Sequence, residues 1–234
     1  SVSDTYNGGS GGPGFIGFSF IIPTFINQKY IDTATQNKSW PITLTNSVTL
    51  TEPITLSSNN QYFIIGDDGI IFDGDEHTIT IENCVGYSGL LKIEEYSKSI
   101  FRNIILTTSG SSKLANEAGW IVQSESYQKS SNNNLISNCT VKADICQDKD
   151  YVNAGILGSQ SLINDNTNSD FTNYNLKIEN CIYDGNIGTN DSNNIIADGA
   201  GLIGSLSINN SYVIIDKCSS GYWLSVNNKV ISCY

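Results

Sequence analysis

Three tetrapeptides of this chain are near-copies of one another: Ile81-Glu82-Asn83-Cys84, Ile136-Ser137-Asn138-Cys139 and Ile178-Glu179-Asn180-Cys181. Ile215-Asp216-Lys217-Cys218 is a looser fourth. A second series runs between them: Ser88-Gly89-Leu90-Leu91, Ala118-Gly119-Trp120-Ile121, Ala154-Gly155-Ile156-Leu157-Gly158 and Ala200-Gly201-Leu202-Ile203-Gly204. Repetition at tens of residues constrains the fold more than any other feature. Each repeat is a unit that buries its apolar face only by stacking on the next. The expected architecture is a solenoid, whose function lies along the stacked surface or at its ends.

The segments around the repeats read as strands. Ile42-Thr43-Leu44, Val48-Thr49-Leu50 and Ile54-Thr55-Leu56 alternate apolar residues with Thr, the period of a half-buried strand. Tyr62-Phe63-Ile64-Ile65, Ile70-Ile71-Phe72 and Thr78-Ile79-Thr80-Ile81 continue the series, separated by the turn signals Gly66-Asp67-Asp68-Gly69 and Asp73-Gly74-Asp75. No segment carries a convincing 3.6-residue period. The prediction is an all-β chain whose short strands form the sides of a helical coil.

A bare coil needs about 20 to 25 residues, yet the four cysteines lie 55, 42 and 37 residues apart. The excess is assigned to surface loops at 110–117, 124–134, 147–153, 164–173 and 186–197, all rich in Asn, Ser, Asp and Gly. In a stacked coil, equivalent positions on successive rounds are about 4.8 Å apart. Cys84, Cys139, Cys181 and Cys218 are therefore read as one buried ladder of thiols. Parallel Cβ vectors disfavour the disulfide dihedral. Cys146 and Cys233 lie outside that series. The asparagine before each of the first three ladder cysteines is assigned to a hydrogen-bonded stack at a coil corner.

Residues 1–40 differ from the rest. A Gly-rich stretch leads into Phe15, Ile16, Phe18, Phe20, Ile21 and Ile22, predicted to be an apolar arm or cap preceding a solenoid domain at 41–234. The chain starts at Ser1 rather than Met, as a processed or trimmed product would. It finishes in Val230, Ile231 and Tyr234 with no amphipathic cap after them, so a stacking edge is expected to be open there. These apolar residues at both ends are the candidate assembly positions.

The net charge of -11 and the single arginine, Arg102, argue against nucleic-acid partners, because phosphate contacts need Lys and Arg. The most apolar stretch, 14–26, is interrupted by Pro23 and falls short of the roughly 20 residues needed to cross a bilayer, so no membrane span is expected. Chemistry is sparse. His77 is the one histidine, which excludes or thins His-based triads and His-rich metal sites. Asp67, Asp68, Asp73 and Asp75 are weak candidates for a hard cation such as calcium, though their spacing matches no dedicated loop. No catalytic set and no cofactor is predicted. Carboxylates on adjacent coils could be spaced for glycoside chemistry, and Trp40, Trp120 and Trp223 could stack on sugars. A carbohydrate-active protein, either a polysaccharide depolymerase or a glycan-binding adhesin, is thus the alternative reading.

The run Ile71-Phe72-Asp73-Gly74-Asp75-Glu76-His77-Thr78-Ile79-Thr80-Ile81, followed by Gly89-Leu90-Leu91, Ile100-Phe101-Arg102-Asn103-Ile104-Ile105-Leu106, Ala118-Gly119-Trp120-Ile121 and the Asn-Cys strands, resembles the β-helix repeat proteins of mimivirus-like giant viruses. The resemblance covers about residues 41 to 234. It implies a single-stranded right-handed parallel β-helix of pectate-lyase-like shape. It does not imply a lyase, since that superfold hosts many functions. The leading expectation is a structural or surface-assembly protein, a virion or fibre component. It would be located in the virion or on an extracellular surface, and would self-associate into an oligomer or filament or bind other virion proteins.

Overall fold

The computed structural model describes residues 23–128, 132–148, 151–163, 173–188, 201–204 and 211–220. The first round holds β1 (Phe25–Ile26), α1 (Gln28–Gln36) and β2 (Ile42–Leu44). The second holds β3 (Val48–Leu50), β4 (Ile54–Leu56) and β5 (Phe63–Ile65), and the third β6 (Ile71–Asp73), β7 (Thr78–Glu82), β8 (Val85–Tyr87) and β9 (Leu91–Lys92). Then come β10 (Ile100–Arg102), β11 (Ile105–Ser109) and β12 (Lys113–Leu114), followed by β13 (Asn134–Ser137) with β14 (Thr140–Lys142). The last described rounds hold β15 (Leu176–Glu179) with β16 (Ile182–Tyr183), and β17 (Val213–Asp216) with β18 (Ser219–Ser220).

Every strand pairing among the described residues is parallel, and each joins one round to the next. One sheet runs β1-β3-β6-β10-β13-β15-β17, a second runs β4-β7-β11-β14-β16-β18, and a third begins β2-β5-β9. The third side then continues as single bridges, Leu91 to Val122, Val122 to Leu157 and Leu157 to Ile203. The Gly-bearing series of the sequence builds this side. The β8–β12 pair adds a short fourth element. Parallel neighbours need a long connection, which the 24 to 42 residues between register partners supply.

Alternation decides which residues fill the interior. On the first sheet Val48, Phe72, Phe101, Ile136 and Ile178 form one register column, and all are buried. On the second, Ile54, Ile79, Leu106, Val141 and Tyr183 do the same. Thr55, Thr80, Thr107 and Lys142 stack on the outside of that sheet. Trp40 meets Phe63 edge-on at 5.3 Å, Phe63 lies 5.2 Å from Phe72, and Trp120 stacks on Tyr87 at 6.3 Å. Register partners along the first column lie 24, 29, 35, 42 and then 37 residues apart, from Val48 through Ile215. The rounds therefore lengthen by their loops while the strands stay short.

Two expectations change here. The stack starts before residue 41: β1 pairs with β3, Phe25 opposite Thr49, and α1 packs Ile31 and Ala34 into the same core. The chain also holds a helix where no 3.6-residue period was evident. Its nine residues bury only that one i,i+3 pair, too little for a periodic signal. The Asn27 side chain caps it by accepting from the Tyr30 N–H at 2.9 Å.

Candidate functional site

The corner between the first and second sheets carries the repeat that dominates the sequence. Asn103, Asn138, Asn180 and Lys217 occupy it on four successive rounds, with φ of 54°, 52°, 52° and 52°. Asparagine tolerates this left-handed conformation better than most residues. Asn138 Nδ2 donates to Asn103 Oδ1 at 3.3 Å, so the asparagines also link two rounds. The next residue on each round points inward: Ile104, Cys139, Cys181 and Cys218.

Cys139, Cys181 and Cys218 share one hydrogen-bonding pattern. Each thiol donates to the carbonyl two residues before it, Ser137 at 3.2 Å, Glu179 at 3.3 Å and Asp216 at 3.3 Å. Each also reaches a carbonyl of the preceding round, on Phe101, Ile136 and Ile178. Burial pushes the Cys139 thiol well above its ordinary pKa and raises that of Cys218. Cys84, Cys139, Cys181 and Cys218 are free thiols.

Cys84 does not belong to this column. It follows β7 rather than the first sheet, and its neighbours on the next round are Ser112 and Lys113: Ser112 Oγ accepts from the Cys84 N–H at 3.1 Å, and Lys113 N–H donates to the Cys84 carbonyl. The ladder position of the intervening round is held by Ile104, whose carbonyl accepts from the Thr140 N–H just as that of Cys139 accepts from Ile182. The 55-residue interval between Cys84 and Cys139 thus hides a whole corner. Its trace in the sequence is Arg102-Asn103-Ile104, an Asn followed by an apolar residue after a strand.

The acidic turns are not brought together. Asp67 and Asp68 are exposed; Asp67 Oδ1 accepts from the Asp68 N–H and Asp68 Oδ1 from the Ser97 N–H, both at 2.8 Å. Asp75 is exposed at φ 48°. Asp73 is buried and fully engaged: Arg102 Nε donates to Oδ2 at 2.7 Å, while Asn103 Nδ2 and the Asp75 N–H donate to Oδ1, both at 2.9 Å. Burial pushes its carboxyl up, but the Asp75, Asn103 and Arg102 donors outweigh that and hold it below its ordinary value. Among the described residues no three His, Cys, Asp or Glu side chains converge as metal ligands. No described helix is long and apolar enough to cross a membrane.

The two ends of the stack differ. On the second sheet, α1 covers the edge of β4: Gln28 Oε1 accepts from the Thr55 N–H at 2.7 Å and Gln28 Nε2 donates to the Thr55 carbonyl at 3.3 Å. The other end of the first sheet is β17. There Ile215 continues the column of Phe101, Ile136 and Ile178, all 0% exposed, yet is itself 47% exposed. The assembly candidates Phe15, Ile16, Phe18, Phe20, Ile21, Ile22, Val230, Ile231 and Tyr234 lie outside the described residues. Ile215 and Gln28 were not among them. Ile215 was visible only as part of a loose repeat, and Gln28 carried no signal.

A groove of about 370 Å³ opens beside the third side, lined by Lys92, Glu94, Glu125, Gln128, Gln160 and Ile163. Comparison with protein families, with curated proteins and with solved structures gives no match.

Proposed function

We propose that this chain is a structural protein that works by assembly, as a component of a virion or an extracellular surface fibre. The finer form of the fold in this reading is a single-stranded right-handed parallel β-helix. Uniformly parallel pairing between successive rounds supports it, and parallel crossovers are right-handed in nearly every known case. The observation that carries the proposal is Ile215. It stands in a column that is otherwise sealed, on β17, a strand paired on one side only among the described residues. Unpaired strand edges next to apolar surface recruit further strands.

The capping at the opposite end supports the same reading. Gln28 occupies the backbone groups of Thr55 as a neighbouring strand would, so that edge of the second sheet is closed, while among the described residues β17 has no strand on its outer side. In this reading a second copy, or another virion protein, adds there. Sedimentation velocity and electron microscopy over a hundredfold concentration range test it. Concentration-dependent growth that Ile215→Asp suppresses is the expected result. Dispersed monomers at every concentration overturn the reading.

A further inference from the structure

We infer that the groove beside the third side is a binding site for a neutral, hydroxyl-rich polymer, a glycan strand laid along the stack. The groove spans three successive rounds. Lys92 and Glu94 come from the round of β9, Glu125 and Gln128 from the next, and Gln160 and Ile163 from the one after. The register across the last two rounds is explicit. The Glu125 N–H donates to the Ser159 carbonyl, the Leu162 N–H to that of Ser126, and Gln128 Nε2 to that of Gln160 at 2.8 Å. Equivalent positions are therefore about one strand spacing apart, near 4.8 Å, and present their side chains as a row.

The geometry of that row is built into the backbone. Glu125 and Tyr127 on one round have φ of 57° and 57°, and Gln160 and Leu162 on the next have 56° and 60°. This double left-handed turn buries Tyr127 and Leu162 and leaves Glu125 exposed and Gln160 partly so. The turn recurs because the sequence recurs: Ser124-Glu125-Ser126-Tyr127 matches Ser159-Gln160-Ser161-Leu162.

The chemistry of the lining selects the ligand. The described carboxylates, amides and ammonium offer donors and acceptors side by side, which is what vicinal hydroxyls require. Among the described lining residues the one cation, Lys92, is already paired with Glu94 at 3.1 Å, leaving Glu125 to repel a polyanion. Among the described lining residues Ile163 is the one apolar side chain, too little surface for a hydrophobic ligand. Unlike the assembly proposed at β17, this site does not depend on self-association, so it stands or falls independently of the assembly reading.

The test is saturation-transfer NMR and calorimetry on the whole chain against gluco-, xylo-, manno- and N-acetylglucosamine hexasaccharides, with a uronic-acid hexasaccharide alongside. At least one neutral hexasaccharide is expected to bind. Glu125→Ala and Gln160→Ala should each weaken it tenfold or more, Gln160→Glu should weaken it less, and Thr80→Ala on the second sheet should leave it unchanged. Circular dichroism of each variant separates lost binding from lost fold. If no neutral oligosaccharide binds, if only the uronic-acid probe does, or if the two groove substitutions leave affinity unchanged in folded protein, the inference is overturned.

Discussion

Arg102 and Asp73 are register partners on adjacent strands, and the guanidinium Nε meets the carboxylate Oδ2 at 2.7 Å. The only arginine of the chain thus neutralises the one buried carboxylate described, and Asn103 and the Asp75 N–H complete its shell. One strand pairing joins the end of β6 to the start of the Asn corner.

That pair sets an acid limb of stability. The Asp73 pKa is depressed in the folded state, so its contribution is full above the unfolded value, near pH 4, and is lost as pH falls through the folded value. Asp73→Asn should flatten stability against pH below about 4. Arg102→Leu should cost about 2 kcal/mol at neutral pH, by loss of a charge-assisted hydrogen bond. Urea unfolding at pH 3 to 7 measures both. An unchanged acid limb in Asp73→Asn would refute the assignment.

Gly155 lies where the third side meets Tyr183. A Cβ there would sit 2.2 Å from the Gly201 carbonyl oxygen and 2.2 Å from the Tyr183 ring. Gly155→Ala is expected to destabilise by about 3 kcal/mol or more, since both obstacles are packed between rounds and overfilling such a site is costly. Thermal unfolding followed by circular dichroism reads the loss. Gly69→Ala meets no atom within 4 Å but has φ of 72°, so its cost should be nearer 1 kcal/mol.

Gln28 imitates a strand at the β4 edge. Removing its amide in Gln28→Ala leaves the Thr55 N–H and carbonyl without that partner, a loss of about 1 to 2 kcal/mol. A bare edge also recruits other chains. The variant should therefore unfold at lower denaturant and scatter more light at equal concentration. Gln28→Glu keeps the acceptor and loses the donor, so an intermediate effect is expected.

Thiol reactivity should follow position in the cysteine column. Cys139 and Cys181 are 0% exposed, and Cys84 and Cys146 are also buried, whereas Cys218 is partly exposed. Among these five, iodoacetamide under native conditions should modify Cys218 first, faster as pH rises because burial lifts its pKa. Peptide mapping by mass spectrometry resolves the order. Early labelling of Cys139 would contradict the stacked corner.

Much of the architecture was legible from the chain alone. Alternation of Ile and Leu with Thr in Ile54–Leu56 and Thr78–Glu82 predicts strands with one buried face, and those faces are buried. The Gly series marks positions where rounds approach too closely for a side chain. The groove was legible only as the matching segments 124–127 and 159–162; that Lys92, Glu125 and Gln160 line one groove was decided by the pairing between three rounds.

The same physics separates what the tetrapeptides encode from what they do not. Asn83-Cys84 and Asn138-Cys139 are alike because both turn the chain with the asparagine at φ of 52° and the next residue buried. That local geometry is all that adjacent residues can specify, and it is the same at any corner. Which corner each builds was decided by hydrogen bonds to the neighbouring rounds, Cys84 to Ser112 and Cys139 to Phe101. Tertiary pairing therefore put Ile104, and not Cys84, in line with Cys139, Cys181 and Cys218. The sequence alone determined that the chain stacks, and the pairing between rounds determined what lies above what.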